Sequence, residues 1–503
     1  MTVSDGPGIA ELRADIREWR RGRATASRSE VLQDLYVALF AVLMLGAMAV
    51  NVVVGFRREA DDLCVTAGCT GARAVLPWLT IAATLAAVLA LARLLGPVFT
   101  TPAAGAWLLS TPVDRASLLR RRLLVMSSLA AAIALAVSLP ATGLAGLAPW
   151  AVVASSAAAA VAGVGVVALA AVSQERGRSG ARWLLWLLLA GSWTGLLLLA
   201  LDEPSDWLSG WSPGRSSHWA ASATAPVVVA LVLVGAVAPA AVTGWRGLAR
   251  LRRRQLEPGG NLSSGLSGAL ATLDLTLAYD VVVAHTARVR ATVRSRRGGP
   301  HGPLALVWRD VVRLRRRPLP LLAVAAAVVA PYAVAQAGGG RLVLLVATLA
   351  GFVACVPLLL ALRVLSRTPS LARMLPMHPA LSRVCTLVVP SLAAAAYALG
   401  CVGAVHAAVG VGWPLATGLA LAVGAGTLTS AAWWMTRRPA NYSAPAVSTP
   451  MGAVPPGMIA GVLHGPDMVL ITSAPMLLAP TTTGITFSLG ICAAVLAYLA
   501  LRR

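Results

Sequence analysis

The sequence predicts an all-α, polytopic integral membrane protein of about twelve transmembrane helices, arranged as two parallel six-helix repeats. Three observations predict it. Of 503 residues 58% are hydrophobic and only 12% charged, with a mean hydropathy of +0.76, which is not the composition of a water-soluble domain. The apolar residues gather in runs of about 20, the length needed to cross roughly 30 Å of hydrocarbon. The basic residues, all 42 of them arginine, cluster in alternate intervals between those runs and give a net charge of +23.

The polar interval 243–318 orients everything else. It carries fifteen arginines from Arg246 to Arg317 between two heavily apolar halves. A segment so basic, flanked by membrane-length runs, belongs to the cytoplasmic side by the positive-inside rule. Residues 1–34 form a cytoplasmic N-terminal segment in which Ser27 and Glu30 have capping-box spacing, so a helix starts there and runs into the membrane. Spans follow at 35–54, 74–97, 123–145, 150–172, 182–201 and 221–243, which complete a first half at 35–243. An Ala-Met-Ala sequence ending at Ala49 has the form of a signal-peptidase site, and the alternative reading is that the first span is cleaved. The basic linker, 244–318, contains a mildly amphipathic run at 266–294. The second half, 319–503, has spans at 319–337, 342–362, 384–405, 412–435, 457–480 and 484–501.

An even number of spans in each half returns the chain to its starting side, so both termini are expected in the cytoplasm of a multi-pass plasma-membrane protein. On this threading 37 of the 42 arginines fall inside. The outside loops hold only Arg57, Arg58, Arg73, Arg215 and Arg341, together with the acidic clusters Glu59, Asp61, Asp62 and Asp202, Glu203, Asp206. The arginines adjoin apolar spans and lack the interleaved aromatics of a nucleic-acid module, so the expected partner of this charge is anionic membrane lipid, and no nucleic acid is expected. Trp78, Trp150, Trp183, Trp207, Trp211, Trp219 and Trp413 stand near span ends, as an interfacial belt does.

Each half begins with an arginine-rich segment containing tryptophan, EWRRGR in the first and VWRDVVRLRRRP in the second. Each then has two spans followed by a polar inside loop with proline. The loops are AWLLSTPVDRASLLRRRLL at 106–124 and SLARMLPMHPALSRVCTLV at 370–388, in which Pro112 is set against Pro376 and Asp114 against His378. Asp114 is placed as an N-cap, and Pro379 suits a first helical turn. Six spans per unit make the repeat parallel, about an axis along the membrane normal. Pro112-Val-Asp-Arg115, followed by Ser117-Leu-Leu-Arg, resembles the inner loop of ABC-2-type exporter permeases. The segment from Leu375 to Arg383 resembles a second, degenerate copy with Pro379 where the first has Arg115. The resemblance implies a short helix between the second and third spans that meets an ATPase, with Pro112, Asp114, Arg115, Pro376, His378 and Arg383 in the coupling loops. The whole chain also resembles a family of actinobacterial integral membrane proteins, on the stretch STPMGAVPPGMIAGVLHGPD at 448–467. That second resemblance implies no function.

The remaining candidate sites are sparse. Without lysine there is no P-loop, so this chain is not expected to be an enzyme, and any ATP hydrolysis must come from separate cytoplasmic ABC ATPase subunits. Six scattered histidines give no ligand set at metal spacing, so no metal and no cofactor are expected. Cys64 and Cys69 share an outside loop and either close a small disulfide loop or remain free thiols. His464 and Asp467, flanking Gly465-Pro466, have two readings. If 457–480 crosses as one unit, Asp467 is an intramembrane carboxylate facing a cavity. If 455–465 is interfacial, a short span starts at Asp467, which caps it. The function expected is the membrane permease subunit of an ABC-2-like exporter for a hydrophobic, lipid-like or peptide-like cargo. The alternative is a non-transporting scaffold or assembly factor, and a membrane-embedded transferase would need a polar cluster that the sequence does not offer.

Overall fold

The computed structural model describes Ala14, Glu18 and residues 28–64, 67–107, 115–177, 179–201, 224–271, 274–289, 298–437, 447–449, 452–454 and 464–501. The described chain is helical apart from one short antiparallel hairpin, β1 (Val447–Thr449) with β2 (Gly452–Val454), paired Val447 to Val454. Among the described residues nine helices are long and apolar enough to cross a membrane: Gly68–Leu95, Ala116–Leu144, Pro149–Arg176, Gly180–Ala200, Leu319–Gln336, Leu342–Arg367, Pro379–Val409, Trp413–Met435 and Thr482–Leu501. Each coincides with a predicted span.

Three predicted spans fall outside that set. The span 35–54 lies within α1 (Arg28–Leu63), a continuous helix of 36 residues that begins directly after Ser27. The span 221–243 lies on α7 (Thr224–Gly247). Many side chains of both helices lie outside the described residues. On the third, 457–480, the described helix is α18 (Pro466–Leu478), with 13 residues, about 20 Å at ~1.5 Å per residue. That is shorter than the roughly 30 Å of hydrocarbon.

The chain divides into two compact units. The first comprises Met1–Val65, Arg73–Ser192 and Asp206–Ser264; the second comprises Thr66–Ala72, Trp193–Ser205 and Gly265–Arg503. The predicted linker is thus shared between them, with the division after Ser264.

In the first unit α4 (Arg115–Leu144) packs on α1 and on α5 (Pro149–Arg176), and α5 packs on α7. The buried face of α5 is made of Ala151, Ser156, Ala159, Gly163, Val166 to Ala168, Ala170 and Ala171. Large apolar residues such as Leu129, Val153, Trp183 and Leu187 point outward on α4, α5 and α6 (Gly180–Ala200). That distribution suits a lipid solvent, where no hydrophobic force separates helix from surroundings and small residues allow the close approach that dispersion rewards. Between α2 (Ala67–Leu95) and α4 stands α3 (Pro102–Trp107), a helix of six residues. After α7 a single 3₁₀ turn (Leu248–Arg250) leads into α8 (Arg253–Ala271).

The second unit opens with α9 (Leu275–Val289), α10 (Leu304–Arg316), and α11 (Leu319–Ala327) running into α12 (Val329–Gln336). Then come α13 (Leu342–Cys355), a 3₁₀ turn at Val356–Leu359, α14 (Leu360–Arg367), α15 (Pro369–Met374), α16 (Pro379–Val409), α17 (Trp413–Met435), the hairpin, α18 and α19 (Thr482–Leu501). The central helix is α17, packed by α13, α16, α18 and α19 and buried along Leu419 to Gly424 and Gly426 to Ala432 almost throughout. Its neighbours bond across helices through hydroxyls: Tyr397 Oη donates to Ala347 O at 2.7 Å and Ser488 Oγ to Thr472 O at 2.8 Å. Like α3 in the first unit, α15 is a six-residue helix opening on proline between two spans.

Candidate functional site

Of the predicted coupling residues, Pro112 and Asp114 lie outside the described residues, as does the side chain of Arg115, whose backbone opens α4. In the second loop Pro376 forms part of the bend between α15 and α16. His378 is the N-cap of α16: its Nδ1 accepts from Ala380 N at 3.3 Å, with Pro379 at the first helical position as expected. Arg383 turns away from the loop. Its NH1 donates to Leu499 O and Ala500 O at 3.3 Å each, so it satisfies carbonyls that the end of α19 would otherwise leave open.

Cys64 and Cys69 are disulfide-bonded. Gly465, with φ 109°, makes the turn that starts α18, a conformation that side-chain-bearing residues rarely adopt. Asp467 Oδ1 accepts from Gly465 N at 2.6 Å and Met468 N at 2.7 Å; the N-cap itself is Gly465, so Asp467 holds the first turn from inside the helix and not as its cap. His464 Nδ1 stands 4.0 Å from Asp467 Oδ2, and its ring stacks on Trp433 at 4.9 Å. The structure therefore uses this pair at the start of a short helix, with Asp467 in its first turn. Among the described residues no group of three His, Cys, Asp or Glu could hold a metal ion.

The polar chemistry concentrates instead where the linker meets the arginine-bearing ends of the spans, and sequence reasoning missed it. In the first unit Gln174 Nε2 donates to Val98 O at 3.0 Å and Gln255 O at 2.8 Å, while Gln255 Nε2 donates back to Gln174 O at 3.0 Å. Thr100 N donates to Leu256 O at 3.3 Å, and Arg122 donates to Phe99 O. Gly259 and Gly260 of α8 lie so close to the turn after α2 that an added Cβ would stand 1.6 Å from Leu95 O and 1.7 Å from Thr100 O.

In the second unit the anchor is ionic. Asp274, 4% exposed, caps α9: its Oδ1 accepts from Thr276 N at 2.9 Å, Thr276 Oγ1 at 2.7 Å and Leu277 N at 3.1 Å. Arg437, beyond the end of α17, reaches the same oxygen at 3.2 Å. One turn and a half along α9, Asp280 takes a two-pronged pair from Arg363, which is 2% exposed. Arg363 also donates to Thr276 O at 2.7 Å and Met435 O at 3.2 Å, and its guanidinium lies over the rings of Tyr279 and Trp434 at 5.6 and 5.8 Å. Arg367, one helical turn further, stands 3.5 Å from Asp280. Three guanidiniums and two carboxylates thus tie α9 to the ends of α14 and α17. A planar five-donor fork is the side chain able to serve a carboxylate and two carbonyls at once.

Beside this knot Asp310 is also buried, 3.5 Å from Arg313, while Arg313 NH2 donates to Leu358 O at 2.5 Å. The two buried linker carboxylates titrate in opposite directions. Burial pushes Asp274 up, but the Thr276 hydroxyl, the Leu277 N–H, the Arg437 guanidinium and the Thr276 N–H together outweigh it and hold the carboxyl below its ordinary range. Burial pushes Asp310 up, against Arg313 and Arg309, and it stays above that range. The depressed group stabilises the fold above the unfolded carboxylate pKa, about 3.9, and that contribution is lost as pH falls through the folded value. Asp274→Asn should therefore lower the thermal midpoint of the detergent-solubilised protein above about pH 5 and make no difference at the acid end. Asp310→Asn should be neutral or stabilising above pH 5; a midpoint loss equal to that of Asp274→Asn would contradict the opposite signs.

A family model described as a family of unknown function matches residues 69–445. No curated protein and no solved structure matches the chain.

Proposed function

Since the chain belongs to the DUF6297 family, which supplies no activity, we propose from its own residues that it is the membrane-spanning permease subunit of an ABC-2-like exporter. Its cargo is hydrophobic, lipid-like or peptide-like, and ATP is hydrolysed by separate cytoplasmic subunits. On this reading the nine apolar helices belong to a set of twelve in two parallel six-span repeats, with the thirteen-residue α18 as the short fifth span of the second half, in the plasma membrane with both termini cytoplasmic. The observation that carries it is the pair of six-residue helices, α3 and α15, each opening on proline at the same place in its half, between the second and third predicted spans. A short rigid helix at that position is the part of such a permease that receives the push from an ATPase. The anchored linker supports the same reading, because a force received at the loops needs a fixed frame at the span ends to act against.

The test is to purify the tagged protein from its native membrane and identify copurifying proteins by mass spectrometry, beside an Asp114→Ala, Arg115→Ala variant. A stoichiometric P-loop ATPase, reduced several-fold in the variant, is the expected result. If no ATPase is recovered under conditions that preserve other ABC complexes, the exporter reading loses its power source and the scaffold or assembly-factor reading takes its place.

A further inference from the structure

Helix α10 has one face spent and one face open. Asp310 and Leu314 are buried, and Arg313 is bonded to Leu358 O, so this side is fixed against the second unit. The opposite side presents Leu304, Trp308 and Val311, spaced four and three residues apart and 61%, 39% and 40% exposed. That spacing places them within one stripe of the helix. Arg315 follows Val311 on the same stripe, and Arg309 stands on the flank, about 100° round the helix from Trp308, with a side chain long enough to reach back to it; both arginines are exposed. After Arg317 and Pro318 the chain enters the span Leu319–Gln336 without an intervening loop. A helix joined so directly to a span, with large apolar side chains outward and arginines among them, lies at the level where hydrocarbon gives way to headgroups.

We propose that α10 seats this face in the membrane surface and recognises anionic phospholipid, with Leu304, Trp308 and Val311 entering the acyl boundary and Arg309 and Arg315 pairing with phosphate headgroups. The occupant follows from charge complementarity and from depth. Trp308 has the amphipathic ring that favours the interface, and arginine stems extend along apolar surface while their guanidiniums reach the phosphates. A soluble acidic protein would satisfy the arginines but would have to compete with lipid for the apolar stripe next to a span. The inference rests on α10 alone and stands whether or not the chain is an exporter.

The test uses the full-length protein with a spin label at Val311→Cys or, separately, Ala305→Cys. The four free native cysteines are buried and do not compete for label. Each is reconstituted in phosphatidylcholine bilayers with and without phosphatidylglycerol. The label at 311 should be reached by oxygen dissolved in lipid, and that at 305 by a water-soluble nickel relaxant. Phosphatidylglycerol should deepen the label at 311. Arg309→Gln with Arg315→Gln should abolish that dependence, a loss of roughly 25-fold in seating at about fivefold per arginine near an anionic surface. Water access at 311 in both bilayers would overturn the proposal. Equal lipid depth in both would overturn the anionic recognition, and so would reproduction of the effect by inorganic phosphate added to phosphatidylcholine alone. Because the label at 311 reports with the arginines intact, a fold defect in the arginine variant cannot mask the answer.

Discussion

Arg363→Met is expected to lower the stability of the detergent-solubilised protein by about 3 kcal/mol, the lower end of the cost of removing one partner from a buried charge pair. The loss has several parts. Asp280 keeps only the longer contact to Arg367, and the carbonyls of Thr276 and Met435 lose a charged donor. Asp280 is 36% exposed, so water screens its orphaned charge; the unpaired carbonyls account for the larger share. Arg363→Lys should recover only part of the loss, since an ammonium cannot make the two-pronged pair and reach two carbonyls as well. Arg363→Met combined with Asp280→Leu should recover more than either single variant predicts, because an apolar pair replaces an ionic one without leaving a charge behind. Thermal unfolding followed by size-exclusion fluorescence measures all three. A single variant Arg363→Met as stable as the parent would show that the knot contributes nothing to holding α9.

Gly259→Ala and Gly260→Ala are expected to be at least as damaging, each costing about 3 kcal/mol. The new methyl would meet a carbonyl oxygen of the turn after α2 at 1.6 or 1.7 Å, and an oxygen fixed in backbone cannot swing aside as a side-chain tip can. The intrinsic gain from replacing a helical glycine with alanine, about 1 kcal/mol, does not offset that. Gly268→Ala on the same helix is the control: its Cβ meets nothing within 4 Å, so the change should leave the midpoint unchanged or raise it. If all three variants behaved alike, the close seating of α8 would be wrong.

The membrane character was legible because burial in lipid is written one residue at a time: a span needs only an unbroken apolar run, and nine predicted runs recur as helices. The interval 457–480 shows the limit. Hydropathy averages across Gly465-Pro466, whereas the backbone turns there at φ 109° and leaves a 13-residue helix. Local chemistry at helix starts was also readable, since His378 and Pro379 act within a few residues of one another. The anchors of the linker were not, because they join residues far apart. Arg363 and Asp280 are separated by 83 positions, and Arg437 and Asp274 by 163. A weak signal existed in Asp274 and Asp280, two carboxylates within a segment of fifteen arginines, where an acidic residue asks for an explanation. Periodicity alone marked that run as amphipathic and gave no partner.

The knot that holds α9 has a chemical consequence in how it can be undone. Its cations are all guanidiniums, which neither lose their proton in the physiological range nor accept the acyl groups that neutralise amines. A lysine in the same place would give the cell two handles, deprotonation and acetylation. This attachment offers neither, so it is a one-sided lock: it yields to acid at Asp274, whose carboxyl must take a proton to let go of Arg437, or to a competing anion that takes the arginines for itself.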